Sequence, residues 1–93
     1  MEITHINEKS KWLALNDEIQ VGELHYLLEG QELVITAMEI EPYYRSNSVV
    51  GDLLLAAVDM AKVLQLKIKL QSEFALSVFE RFPEYKDLLI ASK

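Results

Sequence analysis

The first part of the chain alternates apolar stretches with short polar turns, a pattern that predicts an antiparallel meander of strands. The apolar stretches are Lys11–Leu15, Val21–Leu28 and Leu33–Ile40. Asn16 and Asp17 separate the first two stretches, and Glu29-Gly30-Gln31 separates the second from the third. These residue types favour tight turns, so neighbouring strands should form hairpins. Glu2–Ile6 mixes polar and apolar residues and could add a short edge strand.

From Val49 onward the apolar period changes to steps of three and four residues, which predicts a helix over Ser48–Leu64. The positions expected to face the core are Val50, Leu53, Leu54, Ala57, Ala61 and Leu64. Leu66–Leu70 then alternates with period two and predicts a strand. Because a long helix joins this strand to Leu33–Ile40, the two strands should be parallel neighbours connected by a right-handed crossover.

The C-terminal part predicts a second helix, Glu73–Phe82, that begins at the capping pair Gln71-Ser72. Its inward positions are expected to be Phe74, Val78 and Phe79. Pro83 ends this helix and can start a short helical turn through Ile90. The chain contains no repeat or linker pattern, so residues 1–93 predict a single α/β (α+β) domain.

Composition supports one folded domain and excludes several classes of protein. Hydrophobic residues make up 51% of the chain, which argues against disorder. The longest unbroken apolar run, Leu53–Val58, is far too short to span a membrane. Met1–Trp12 is polar and does not resemble a signal peptide, and the chain has no cysteine for disulfides, a thiolate nucleophile or zinc. We therefore expect a cytoplasmic protein without a membrane partner.

The net charge of −6 limits the partners that the protein can bind. Between Trp12 and Arg45 the chain has seven acidic residues and one basic residue. Such a surface would repel a phosphate backbone, so we expect no nucleic-acid partner. It could attract amines or lysine-rich peptides, although an acidic surface can also serve solubility alone.

The two histidines carry no metal-site pattern. Period two divides Val21–Leu28 into a more apolar face with Leu24, Tyr26 and Leu28 and a second face with Val21, Glu23, His25 and Leu27. We therefore interpret His25 as a sheet-surface residue rather than a ligand. His5 has no companion at metal-ligand spacing, and we predict no metal site.

The stretch Glu39–Leu54 is the part of the sequence that best predicts a binding site. Pro42 stops the strand, and Ser46-Asn47-Ser48 supplies capping residues for the long helix. A helix N-terminus presents backbone N–H groups and a positive dipole end, which suit a phosphate or pyrophosphate. Arg45, beside this turn, is the only Lys or Arg between Lys11 and Lys62.

This stretch resembles the acetyl-CoA pyrophosphate loop of the GNAT superfamily of N-acetyltransferases, whose pattern is Arg/Gln-x-x-Gly-x-Gly/Ala. Arg45 matches the pattern, while Ser48 and Val50 stand at its glycine and glycine/alanine positions. Phe74–Leu89, with Pro83-Glu84-Tyr85, resembles the closing helix and turn of a subgroup of very small GNAT-like proteins. The resemblance covers roughly Val21 to Leu89 and implies a GNAT-like mixed sheet.

The resemblance also implies an activity, which is transfer of acetyl from acetyl-CoA to an amine by direct attack on the thioester. The residues implied at the cofactor are Ile40, Arg45, Ser46, Asn47, Ser48, Val49 and Val50. Val50 either narrows the phosphate pocket or turns into the core. Ser48 keeps its N–H and adds a hydroxyl donor for an anion. The bulk of Val50 and the repulsion between a protein of net charge −6 and a polyanionic cofactor nevertheless lead us to expect weak binding of acetyl-CoA.

Three residues are implied at the reacting groups, and each has a structural alternative. Glu39 is the candidate base or a solvated sheet carboxylate. Ser72 stands where the subgroup typically has cysteine, but a serine cap of the second helix is the alternative. Tyr85 could donate a proton or simply pack its ring. Phe82 replaces a histidine that is usual in the subgroup.

Two other hypotheses for the function remain open. The protein could be a non-catalytic GNAT-like protein that binds a small ligand or a protein partner. It could also be an interaction domain that uses the exposed sheet edge at Glu2–Ile6.

Overall fold

The computed structural model describes residues 2–44 and 48–89. The strands are β1 (Glu2–Ile6), β2 (Lys11–Asn16), β3 (Ile19–Glu29), β4 (Glu32–Ile40) and β5 (Lys67–Leu70), and the helices are α1 (Ser48–Leu64) and α2 (Glu73–Phe79). Short 3-10 helices occur at Asn7–Lys9, Pro42–Tyr44 and Pro83–Leu88. The predicted α/β class is confirmed, and the edge strand is present with the predicted bounds.

The strands form one mixed sheet in the order β1-β2-β3-β4-β5. The first four strands pair antiparallel, each with its neighbour along the chain. β5 pairs with β4 in parallel, with Leu33 opposite Ile68. α1 provides the long connection that parallel strands require, and the predicted parallel pairing is confirmed.

The core lies between the sheet and α1 and extends to α2. The buried residues of α1 are Val49, Val50, Leu53, Leu54, Ala57, Val58 and Ala61. The predicted stripe missed Val49 and Val58, and it was wrong at Leu64, which is 49% exposed. Leu64 is the last residue of α1, and Gln65 follows it with a positive φ of 58°. The chain turns there towards β5, so Leu64 does not reach the core.

The predicted faces of β3 needed two corrections. Val21 was expected beside His25 but is buried in the core, because the register between β2 and β3 shifts after Ala14 and places Val21 at the irregularity. Leu28 was expected on the apolar face but is 53% exposed, since it lies one residue from the end of the strand. Leu24 and Tyr26 are buried as predicted.

α2 ends at Phe79, three residues before the predicted end at Phe82. The N–H groups of Arg81 and Phe82 donate to the carbonyl groups of Val78 and Phe79 at 2.9 Å, which are tighter three-residue turns. The chain therefore leaves the α-helix before Pro83. Val78 and Phe79 are buried as predicted, together with Ala75, while Phe74 is only half-buried.

Aromatic side chains of the first three strands pack together at one end of the core. His5 stacks on Trp12 with ring centroids 4.9 Å apart, and Trp12 lies 4.7 Å from Tyr26. The Tyr26 hydroxyl and His5 Nε2 form a hydrogen bond of 2.7 Å. Burial raises the pKa of the Tyr26 phenol above its ordinary value.

No helix in the described ranges is long and apolar enough to cross a membrane. Residues 2–44 and 48–89 also contain no cluster of three His, Asp or Glu side chains suited to a metal ion.

Candidate active site

The two parallel strands end at different points, because β5 stops at Leu70, opposite Ile35, while β4 continues. β5 pairs with β4 from Glu32 to Ile35, and the Gln71 N–H donates to the Ile35 carbonyl at 2.9 Å, where the pairing ends. β4 continues to Ile40 while remaining paired with β3. In an open sheet with parallel strands, ligands bind outside the carboxyl ends of the strands. The region beyond the end of β5, beside the last residues of β4, is therefore a candidate site.

A cleft of about 580 Å³ opens at this end of β3 and β4. Its lining residues are Gln20, Val21, Gly22, Glu23, Met38, Glu39, Ile40, Glu41, Pro42 and Phe74. Phe74 comes from the first turn of α2, so this helix closes the cleft on the side that β5 has left. The volume lies in the range of small-molecule sites.

Glu39 lies in this cleft at the end of β4. Its neighbours Met38 and Ile40 are buried while Glu39 is exposed, so its carboxylate lies on the opposite face of the strand. Among the described residues no cation forms an ion pair with Glu39 or with Glu41. Within the described part of the chain, these two carboxylates have no cation to balance them.

Glu23 is a cleft residue that the sequence analysis did not identify. It pairs with Glu39 across the β3–β4 ladder. Its carboxylate lies 3.6 Å from Lys11 Nζ and 3.2 Å from His25 Nε2. The period-two pattern placed Glu23 and His25 on one face, but the pairing of Glu23 with Glu39 depends on the strand register, which the pattern does not fix.

The segment between β4 and α1 is attached to the sheet by hydrogen bonds. The Glu41 N–H donates to the Val21 carbonyl at 2.9 Å, and the Tyr44 N–H donates to the Glu41 carbonyl at 2.8 Å. Asn16 Nδ2 also donates to the Tyr44 hydroxyl at 3.1 Å. Tyr43 is 86% exposed, with its ring edge-on to Tyr44. The chain is thus held on the ends of β2 and β3 just before the proposed loop.

The cofactor residues predicted from the sequence fall into two groups. Ile40, Val49 and Val50 are described and buried, so their side chains belong to the core. The structure therefore supports the core alternative for Val50 over a narrowed pocket. Ser48 begins α1, while Arg45, Ser46 and Asn47 lie outside the described residues and remain predictions. The positive end of the α1 dipole lies next to this loop.

Ser72 is the N-cap of α2. Its Oγ accepts a hydrogen bond from the Ala75 N–H at 3.2 Å, with Ser72 in an extended conformation. In this segment Phe74, rather than Ser72, lines the cleft. The geometry is that of a helix cap, and a role in acetyl transfer stays a prediction.

Tyr85 lies in an aromatic cluster beyond the end of α2. Its ring stacks with Phe82 at a centroid distance of 5.9 Å and lies edge-on to Phe79 at 6.4 Å. The ring is half-buried against the core and does not belong to the described lining of the cleft. The role of Tyr85 as an acid therefore stays a prediction.

Comparison with known proteins shows which family the chain is similar to. A family model described as GCN5-related N-acetyl-transferase matches residues 11–88 of the chain. No curated protein matches the chain significantly.

Solved structures show the same fold at low sequence identity. A GCN5-like protein from Staphylococcus aureus superimposes with a TM-score of 0.78 at 22% identity, over 99% of this chain and 90% of that one. A predicted acetyltransferase from Clostridium acetobutylicum, solved with acetyl-CoA, has a TM-score of 0.61 at 21% identity, over 77% of this chain and 55% of that one. The aminoglycoside N-acetyltransferase AAC(6')-Iy, solved with CoA, gives 0.58 at 13% identity, over 88% and 67%.

Proposed function

The chain belongs to the GCN5-related N-acetyltransferase family, and on that premise we propose that it transfers acetyl from acetyl-CoA to an amine. The observation that carries the proposal is that β5 ends opposite Ile35 while β4 continues past it, beside a cleft that contains Glu39. This arrangement brings a strand end, a helix N-terminus and a carboxylate to one place.

The ends of the described elements support a position for acetyl-CoA. β5 ends opposite Ile35, so an extended pantetheine arm can run beside the last residues of β4. The pyrophosphate would lie at the N-terminus of α1, where the helix dipole favours an anion. Arg45 would add a charge-assisted hydrogen bond from its side chain. Two solved structures of the same fold contain acetyl-CoA or CoA, which supports use of this cofactor.

The negative cleft favours a basic acceptor. Glu39 and Glu41 lack ion-pair partners among the described residues, so they can attract a protonated amine. Glu39 would first accept a proton from the ammonium group, directly or through a water molecule. The neutral amine nitrogen then forms a bond to the thioester carbonyl carbon, and the C–S bond breaks. CoA leaves as a thiolate, which takes up the proton that the nitrogen loses on acylation. An aminoglycoside acetyltransferase of the same fold, solved with a bisubstrate analogue, acts on an amine of this general kind.

Steady-state kinetics test the proposal. Release of CoA thiol from acetyl-CoA should require an added amine, and a polyamine, free lysine and a lysine-containing peptide form a suitable panel. We expect amine-dependent release with at least one of them. A protein that binds acetyl-CoA but releases no thiol with any amine would contradict the enzymatic function.

One observation favours a second candidate, a non-catalytic member of the family. Of the three residues predicted at the reacting groups, Ser72 caps a helix and Tyr85 packs its ring, which leaves Glu39 in the cleft. A protein of this kind would bind acetyl-CoA or another ligand in the cleft without turnover. The same kinetic experiment separates the two candidates.

A further inference from the structure

Gly22 lies in β3 beneath the first turns of α1. It pairs with Ala14 of β2 and with Ile40 of β4, and it is buried. A Cβ atom at this position would lie 2.9 Å from Ile40 Cδ1 and 3.3 Å from both Val49 Cγ1 and Leu53 Cδ1. Carbon atoms in favourable contact are about 3.5–4.0 Å apart. A Cβ at this position would therefore require the end of the Ile40 side chain to move, and the Val49 and Leu53 side chains to move slightly.

The backbone conformation does not explain this glycine. Positive φ occurs at Gly30 and not at Gly22, so an L-residue could adopt the conformation found there. Glycine inside a strand is otherwise unfavourable, because it loses conformational freedom and packs no side chain. Its presence is explained by the close approach of the helix to the strand.

The three atoms around Gly22 belong to the two segments that border the proposed pyrophosphate loop. Ile40 is the last residue of β4, and Val49 and Leu53 are in the first turns of α1. Ala14 of β2, which is also small and buried, is paired with Gly22. A methyl group at Gly22 would press on the side chains through which the end of β4 and the first turns of α1 pack together.

We propose that Gly22 is a positioning residue that sets how closely the first turn of α1 lies against the end of β4, and thereby sets the geometry of the pyrophosphate site. This inference rests on the proposed function. It adds a residue that touches no substrate and acts through Ile40 and Val49.

A double-mutant cycle tests the inference. Gly22→Ala is made in the natural chain and in an Ile40→Val background, which removes the Cδ1 atom nearest to the new methyl group. The measurements are acetyl-CoA affinity by titration calorimetry, stability by urea unfolding, and amide NMR shifts. Gly51→Ala is the matched control, because a Cβ there would lie at an ordinary 3.6 Å from Phe82.

Gly22→Ala should raise the acetyl-CoA dissociation constant by on the order of tenfold, because hydrogen bonds to an anion weaken steeply as their geometry departs from the optimum. In the Ile40→Val background the same substitution should change it by less than about twofold. Amide shifts should change most over residues 49–53. Gly51→Ala should keep the affinity of the natural chain.

Three results would overturn the inference. The first is a folded Gly22→Ala protein with unchanged affinity, and the second is an equal loss of affinity in both backgrounds. The third is a Gly22→Ala protein that unfolds while the double variant binds like Ile40→Val, which would assign Gly22 to folding alone. If the natural chain binds no acetyl-CoA, the proposed function fails. The inference is then decided by whether the amide shifts at 49–53 appear and are suppressed in the Ile40→Val background.

Discussion

Glu23 and Glu39 are directly paired across the β3–β4 ladder, which brings two carboxylates together in the cleft. Like charges opposite each other on a sheet are unfavourable, so the pair requires compensation. Lys11 and His25 approach Glu23, while no described cation pairs with Glu39. Glu23 is therefore engaged in the sheet, which is why we propose Glu39 as the carboxylate that meets a substrate.

The first prediction concerns the rate of acetyl transfer. Glu39→Gln should lower kcat by about 10²–10⁴-fold with little change in acetyl-CoA affinity, because it removes a proton acceptor and keeps the shape. Steady-state thiol release measures the rate, and calorimetry measures the affinity. Glu23→Gln is the comparison variant and should lower kcat less. Equal rates for Glu39→Gln and the natural chain would make Glu39 a solvated carboxylate.

The second prediction concerns the N-cap of α2. Ser72→Ala removes the acceptor for the Ala75 N–H and should cost about 1 kcal/mol of unfolding free energy. Ser72→Asn, which can still cap, should recover most of this loss. Urea unfolding measures both variants. A Ser72→Ala protein of natural stability but greatly reduced turnover would instead favour a role in the chemistry.

The third prediction tests the orientation of Val50. Since Val50 is buried, Val50→Ala should cost about 2 kcal/mol of stability by removing buried apolar atoms and leaving a cavity. Val63, 79% exposed on the same helix, provides the matched control, and Val63→Ala should change stability little. Urea unfolding again measures the difference. Tighter acetyl-CoA binding by Val50→Ala without loss of stability would return Val50 to the phosphate pocket.

The fourth prediction follows from the pKa of Tyr26. Burial raises this pKa in the folded protein above the ordinary value of 10.0. Above about pH 10 the unfolded chain loses the phenol proton while the folded protein keeps it, so the free energy of unfolding falls as pH rises. Below that pH the contribution is fully present.

The measurement compares urea unfolding at about pH 9 and about pH 11. Tyr26→Phe should show a smaller fall than the natural chain. It should also lose about 1 kcal/mol at neutral pH with the His5 hydrogen bond. Tyr43→Phe, at an 86% exposed position, should keep the natural pH dependence. An unchanged fall in Tyr26→Phe would show that other groups cause it.

Most of the fold could be predicted because local pattern and global packing agree. The change of period at Val49 indicated the start of α1, and the length of the helix implied that β5 pairs in parallel with β4. The errors lie where tertiary contacts override the pattern. Val21 enters the core through an irregularity in strand pairing, and α2 ends early through three-residue turns near Phe82.

The site was less predictable than the fold. Alternation along β4 predicted that Glu39 lies opposite Met38 and Ile40, and the structure agrees. Glu23 was missed because its pairing with Glu39 is a matter of register, which no single strand encodes. The close contact at Gly22 depends on where a distant helix packs, and sequence spacing carries no such information.

The central claim is that acetyl-CoA binds at the loop before α1, and titration calorimetry tests it most directly. The natural chain should bind acetyl-CoA weakly, because a positive helix end and Arg45 attract the anion while the net charge of −6 repels it. Arg45→Ala should weaken binding. Arg81→Ala, which removes the same charge at an exposed position after α2, should weaken it much less. Equal losses in both variants, or no heat from the natural chain at millimolar ligand, would contradict the account.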